Sequence, residues 1–391
     1  MNQFNLIKRF AYKYPRSFRY LSYNFIEILN FLLYFLFLPT NTFYSLFLKY
    51  RLSKSSSNIQ KLIIRNDKIG DNILTLPYIY GTQSKNGNCF FFSNIIEEIT
   101  NQICIKNSWQ SSKHIKSNCN LFIANLATAD ISTFSNCFPK QKSKMIFSQI
   151  TTNPFSRNGF PLIFSPFYSS NKSQTKFVKN NLRKLQIKSD PILGIQVLND
   201  HFRKIVKPNK ESLLIIVLGL GLDEGRQLSN FLIKEIIKFA KKKNFKPGIL
   251  QEPGFEEESR KIALKNNIES KLSNNYKELF ILFKSAKYSV GFDCGPMHIA
   301  SLFTNSIILF SHASPLCWGK HIWNKTIAEK IIKLNYSKIQ IYKQINKGSG
   351  KLNWIISNDK RACILHKKSC LKHNCSSLDE KLVLKGLKEI L

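Results

Sequence analysis

A short β-branched apolar run, Lys61-Leu62-Ile63-Ile64-Arg65, breaks into Asn66-Asp67-Lys68-Ile69-Gly70-Asp71 and resumes as apolar Ile73-Leu74-Thr75-Leu76-Pro77. A buried strand followed at once by a glycine-bearing turn and a helix start is the opening βα unit of a parallel sheet. It puts Gly70 and Asp71 at the carboxyl end of the strand, where open α/β sheets bind their ligands. Gly70 supplies a backbone conformation that a Cβ makes costly. Asp71 has two readings: a cap that accepts from the free amides of the helix, or a carboxylate available for chemistry.

A second segment of the same kind lies far downstream: Ser289-Val290-Gly291-Phe292-Asp293-Cys294-Gly295-Pro296-Met297-His298-Ile299-Ala300. It stands between a helical stretch, residues 276–285, and another apolar run, residues 306–310, so it also reads as strand, turn and helix start. Proline suits the first turn of a helix, and a preceding glycine lets backbone amides approach a ligand. Together they describe an anion-binding helix terminus, with phosphate the obvious anion.

The two segments together resemble glycosyltransferase family 9, the heptosyltransferases that add heptose from ADP-heptose to the lipopolysaccharide core. Arg65, Ile69-Gly70-Asp71 and Leu76-Pro77 match the first family signature; Asp293, Gly295, Pro296, Met297 and His298 match the second, with Cys294 in place of its hydroxyl residue. The resemblance extends from about Lys61 to the C-terminus. It implies an α/β chain of GT-B type, two Rossmann-like domains facing across a cleft. Residues 213–221 then resemble the strand that opens the second domain, with Gly219 and Gly221 where the family has a Pro-Gly-Ala-Gly turn. Asp223-Glu224-Gly225-Arg226 stands where the family carries a Lys before a Trp-Pro pair, and Ser311-His312-Ala313-Ser314-Pro315 replaces a Gly-Pro-Thr-Asp/Ser-Pro loop.

Glycosyl transfer needs a carboxylate to take the acceptor hydroxyl's proton. The resemblance assigns that role to Asp71, as base of an inverting, metal-independent transfer. Gly70 lies beside it on the acceptor side, and Arg65 and Lys68 hold it ionised. The departing diphosphate needs fixed donors or cations. The helix-terminal amides of Gly295, Met297 and His298 suit this, since Pro296 has none to give. Arg226 is the cation within the second domain's first loop, with a plain surface role as its alternative. The family places ribose or base contacts after the strand at residues 247–250, where Glu256 is the matching acidic side chain; its alternative is a charged first helical turn. The donor side is therefore Gly219, Gly221, Arg226, Glu256, Asp293, Gly295, Pro296, Met297 and His298, with no metal and no cofactor.

The chain has 391 residues, enough for two α/β domains, and 59 basic against 24 acidic side chains give a formal charge of +35. Such a field attracts phosphate-rich partners, whereas a drift toward Lys, Asn and Ile would raise it without selection for binding. A non-catalytic basic protein on anionic membrane or nucleic acid is the competing function class. No recognised nucleic-acid motif supports it, so no nucleic-acid partner is expected. Nine scattered cysteines do not make a secreted disulfide framework and fit reduced thiols in the cytoplasm. Cys363, His366, Cys370, His373 and Cys375 lack the close pairs of a structural zinc site.

Residues 1–57 differ in character. The apolar run at 28–38 is shorter than the ~20 residues that span a bilayer. Lys8, Arg9, Lys13, Arg16 and Arg19 precede it, and Lys49, Arg51 and Lys54 follow it. An interfacial segment on an anionic membrane is expected, with extra helices packed on the protein as the alternative. This places the protein on the cytoplasmic face of the inner membrane. Three parts follow: residues 1–57 as extension and linker, 58–205 as an acceptor-side Rossmann-like domain, and 206–391 as a nucleotide-sugar-binding one with a closing helix. Within them, further strands are expected at 88–93, 120–124 and 144–147, a surface loop at 151–172, a helix at 174–185, and a charged boundary passage at 200–210.

Overall fold

The computed structural model describes residues 50, 59–65, 69–83, 88–105, 108–116, 120–125, 143–149, 163–165, 174–206, 212–222, 226–311, 327–334, 337–357 and 378–391. The N-terminal extension other than Tyr50, Lys68, the 312–315 loop and the Cys/His tail lie outside them. Among the described residues no helix is long and apolar enough to cross a membrane.

The first sheet begins as its sequence requires, with β1 (Ile59–Ile64) turning directly into α1 (Ile69–Tyr80). Then come β2 (Cys89–Phe92), α2 (Asn94–Ile103), β3 (Trp109–Ser111), β4 (Asn120–Asn125), β5 (Ser143–Gln149) and β6 (Ile163–Ser165). The strands lie in the order β3-β2-β1-β4-β5-β6, all parallel. The chain thus runs outward from β1 on one side and returns to its other side at β4. That reversal opens a crevice at the carboxyl end of β1, which is where Asp71 stands.

Two helices, α3 (Gln174–Lys184) and α4 (Pro191–Ile205), lead to the second sheet. Its elements are β7 (Leu213–Val217), α5 (Asn230–Lys242), β8 (Lys246–Leu250), α6 (Glu256–Lys265), β9 (Glu269–Lys271), α7 (Tyr276–Ser285), β10 (Tyr288–Phe292), α8 (Gly295–Phe303) and β11 (Asn305–Phe310). β12 (Ile327–Leu334), β13 (Ser337–Asn346), β14 (Lys351–Ser357) and α9 (Glu380–Ile390) close the chain. The strand order is β12-β13-β14-β11-β10-β7-β8-β9. Every residue of β7 is buried, as a central parallel strand demands. The reversal here falls between β7 and β10, so the loops that carry Gly219 and Asp293 share one crevice.

Most expected elements are present, with three differences. The passage at 200–205 belongs to α4, because Asp190 caps that helix and Pro191 starts it, so its apolar face continues to Phe202 and beyond the charged residues. A three-residue strand, β6, lies within the stretch read as a loop. The β12-β13-β14 edge is antiparallel, a hairpin addition that the Rossmann-like reading did not contain.

The two sheets share one continuous apolar core. α1 and α4 cross with backbone against backbone: a Cβ on Gly194 would lie 1.8 Å from the Pro77 carbonyl oxygen, and one on Gly81 the same distance from that of Asp190. Phe202 of α4, Phe280 of α7 and Phe303 of α8 then stack edge-on or tilted, with ring centroids 5.1 to 5.5 Å apart. These three fully buried rings tie α4, the last helix before the second sheet, to helices of that sheet.

Candidate functional site

Both signature segments fold as a strand end followed by a helix start, and the fold sets the two helix starts against each other. A Cβ on Gly70 would lie 2.9 Å from His298 Cδ2; one on Gly295 would lie 2.9 Å from Cβ and Cγ2 of Ile69. The glycines therefore let α1 and α8 touch, one from each sheet. For Gly295 this is a different reason from the approach of a phosphate, since the space beside its Cα faces Ile69.

On the first sheet's side, Asp71 lies in the opening turn of α1. Arg65, at the end of β1 and almost wholly buried, donates from Nη2 to Asp71 Oδ1 at 3.2 Å and from Nε to the Asp71 carbonyl, also at 3.2 Å. The carboxylate itself keeps 17% of its surface exposed, so it reaches solvent while its cation is held inside. The neighbouring Asn72 accepts from Ser93 Oγ at 2.7 Å, which locks α1 to the cap of α2. Arg65 thus lies beside Asp71 as the sequence implies; Lys68 lies outside the described residues.

Across the contact, Asp293 follows β10 and is buried. His298 Nε2 sits 3.0 Å from its Oδ1, and Arg226 Nη2 lies 3.6 Å from its Oδ2 while also donating to its carbonyl. Asp293 thus orients both the imidazole that meets Gly70 and the guanidinium at the mouth of α8. Met297 is fully buried, so only its backbone can serve a ligand there. Gly295 and Pro296 are half-buried at the first turn of α8. Burial pushes the Cys294 thiol far up, with Glu252 adding to the effect and the Met297 amide opposing it. The side chain that replaces the family's hydroxyl residue is consequently a protonated, inert thiol.

Two donor-side residues take unexpected places. Gly219 has the left-handed φ of +80° that its turn requires, but its amide donates to Glu252 Oε1 at 2.6 Å. The neighbouring backbone of Leu218, Leu220 and Gly221 also favours the ionised form of that carboxyl. The loop after β7 is therefore folded against an internal carboxyl group, and the Gly219 amide is already engaged. Burial raises the Glu252 carboxyl above its ordinary value, against the pull of the amides. Glu256, the residue singled out from sequence, is exposed and accepts from the Gly254 amide at 2.9 Å, which holds its carboxyl below the ordinary value. It is a first-turn acid of α6. The sequence reading missed Glu252, whose one visible signal was a carboxylate directly after an apolar strand end. It also missed Phe255, whose partly exposed ring lies 3.4 Å from the Cβ position of Gly221.

Neither a protein-family model nor a curated protein matches the chain by sequence. Structural comparison gives a clear match. The E. coli heptosyltransferase WaaC with ADP aligns over 84% of this chain and 99% of its own, with a TM-score of 0.53 and 11% identity. This chain has the heptosyltransferase fold. The structure of WaaC with ADP-2-deoxy-2-fluoro heptose aligns over 67% of this chain and 91% of its own, with a TM-score of 0.47 and 12% identity. A family 9 glycosyltransferase from Veillonella parvula DSM 2008 aligns over 66% and 82%, with a TM-score of 0.49 and 11% identity. The expectation of a GT-B arrangement, drawn from two motifs, is met by the heptosyltransferase fold as a whole. At such identities the likeness is one of fold, and chemistry has to be argued from the residues at the junction of α1 and α8.

Proposed function

We propose that the protein is an inverting glycosyltransferase that moves a heptose or related sugar from a nucleotide-diphosphate donor, ADP-heptose by preference, to a lipopolysaccharide-core or other glycolipid acceptor. The observation that carries this reading is the meeting of two strand-end helix starts, one bearing a solvent-reaching carboxylate and the other set beside the Arg226 guanidinium. An acceptor hydroxyl bonds to the anomeric carbon as the carbon–oxygen bond to the diphosphate breaks, and the hydroxyl proton passes to Asp71. Arg65 stabilises the ionised form of that base from its buried side.

Negative charge gathers on the departing diphosphate. The guanidinium of Arg226 and the positive end of the α8 dipole are the groups placed to receive it, the His298 amide itself already donating to the Cys294 carbonyl at 3.1 Å. Because the Gly219 amide is engaged with Glu252, the diphosphate belongs beside Arg226 at the start of α8 in this reading. The partly exposed ring of Phe255, next to Gly221, suits the nucleobase. WaaC, whose structures hold ADP and a fluoro analogue of ADP-heptose, supports this donor class through shared fold. The basic, aromatic extension at 1–57 would hold the enzyme on the anionic cytoplasmic face of the inner membrane, beside a glycolipid acceptor.

The test is direct. Purified protein, ADP-heptose and a core-truncated lipopolysaccharide are incubated, and the glycolipid is weighed by mass spectrometry. The expected gain is one heptose per acceptor. ADP should also raise the melting temperature, as any ligand bound only by the native state must. Neither a mass gain nor a stabilisation by ADP would leave this reading without support.

A further inference from the structure

We infer that the protein has a second carbohydrate subsite, a groove beside the edge strand of the first sheet that takes an uncharged sugar residue of the acceptor. The inference rests on the glycosyltransferase reading for the identity of the occupant. The groove encloses ≈ 590 Å³, within the roughly 300–1,000 Å³ of small-ligand clefts. Glu97, Thr100 and Asn101 of α2 form one side; Gln110 and Ser111 of β3 and His114 of the following turn form the other. Phe91 and Trp109, both buried, lie at its base and fix its shape.

Charge decides the class of ligand. In a chain with 59 basic side chains, no Lys or Arg is among the described residues that line this groove. Its one carboxylate, Glu97, is turned toward the exposed Lys113 at 2.8 Å. That ammonium neutralises the carboxylate, so the groove presents no net charge to hold a phosphate or an acidic sugar. The lining instead offers amide, hydroxyl, imidazole and carboxylate groups, which both donate and accept. That set matches the alternating hydroxyls of a neutral sugar ring.

Position supplies the connection to transfer. Ser93, the cap of α2, hydrogen-bonds to Asn72, the residue after Asp71. Glu97 is four residues further along the same helix, about 6 Å at the α-helical rise. A saccharide whose reacting hydroxyl meets Asp71 can therefore extend along α2, and its next residues fall in the groove. The site would read the acceptor's branch or neighbouring sugar and set acceptor choice away from the reacting bond.

Asn101 and Gln110 are exposed, so the double variant Asn101→Ala/Gln110→Ala should fold normally. Saturation-transfer NMR on the full chain, with methyl α-glucoside, methyl α-galactoside and a methyl heptoside as probes and glucose 6-phosphate as the anionic control, reads the groove directly. Expected are signals from at least one neutral glycoside that persist under saturating ADP and vanish in the double variant, with a weaker signal from glucose 6-phosphate. Equal signals in wild type and variant, a preference for glucose 6-phosphate, or no signal from any neutral glycoside would overturn the inference. In the transfer assay the variant should raise the acceptor KM about tenfold, the equivalent of one or two lost hydrogen bonds, and leave kcat and the donor KM unchanged. A chain that binds glycosides in this groove but transfers nothing would remove the glycosyltransferase reading and leave the subsite standing.

Discussion

Asp71 and Arg65 form a pair in which the cation is buried and the carboxylate reaches solvent. Replacing Asp71 with Ala would take the carboxylate from a buried guanidinium and mix a folding defect with a chemical one. Asp71→Asn keeps an acceptor for Arg65 and removes the base. Turnover should fall by about 10² or more, with ADP affinity and melting temperature close to wild type. Near-normal turnover in this variant would reduce Asp71 to a helix cap. Glu252 makes a separate prediction about pH. Its carboxyl has a higher pKa in the folded chain than in the unfolded one, so the folded state binds the proton more tightly. The stability it contributes is full below the ordinary carboxylate value and is lost as pH rises through the folded value. Denaturant titrations should show a stability decline across that window in wild type and a flatter profile in Glu252→Gln. Identical profiles would mean that the Glu252 carboxyl is not the group that titrates.

At the scale of elements, the junction of α1 and α8 depends on two missing Cβ atoms. Gly295→Ala should destabilise the protein by about 1–3 kcal/mol, the usual cost of overpacking, because its methyl would press on Ile69. The double change Gly295→Ala/Ile69→Ala should recover much of that loss, which a double-mutant cycle measures. Were Gly295 needed only for the approach of a phosphate, the single variant would lose ADP affinity without losing stability, and Ile69→Ala would rescue nothing. The α1/α4 crossing at Gly194 follows the same physics with less room, since there a methyl would meet backbone rather than a side chain.

For the whole molecule, the shared core of the two sheets and the separate character of residues 1–57 set the expectation. Deleting residues 1–57 should release the protein from anionic vesicles in a flotation assay and leave an unchanged circular dichroism spectrum, because β1 begins only at Ile59. Binding of the full chain should weaken with salt but persist, since basic side chains are screened while apolar contacts are not. A truncated chain that still floats with vesicles would move the membrane contact to the globular part, where much of the +35 charge also lies. Loss of the folded spectrum would instead make the extension part of the core.

The sequence by itself determined the local events: where strands end, which turns carry glycine, and which carboxylates follow them. Strand–turn–helix patterning is a short-range property, so Gly70-Asp71 and Asp293 through His298 were legible as helix starts, and so was the α/β class. The closing helix was expected from the family resemblance, and Asp379 caps it. Only the tertiary structure decided which of these groups meet. That Gly70 faces His298, that Gly295 faces Ile69, and that Glu252 accepts from the Gly219 amide are relations between residues 33 to more than 220 positions apart. No period or motif encodes such distances; they follow from how two twisted sheets pack around α1, α4, α7 and α8. The same reason explains Glu256, whose acidic first-turn position was visible but whose exposure was not, and Glu252, whose burial depends on a loop folding over it from another strand.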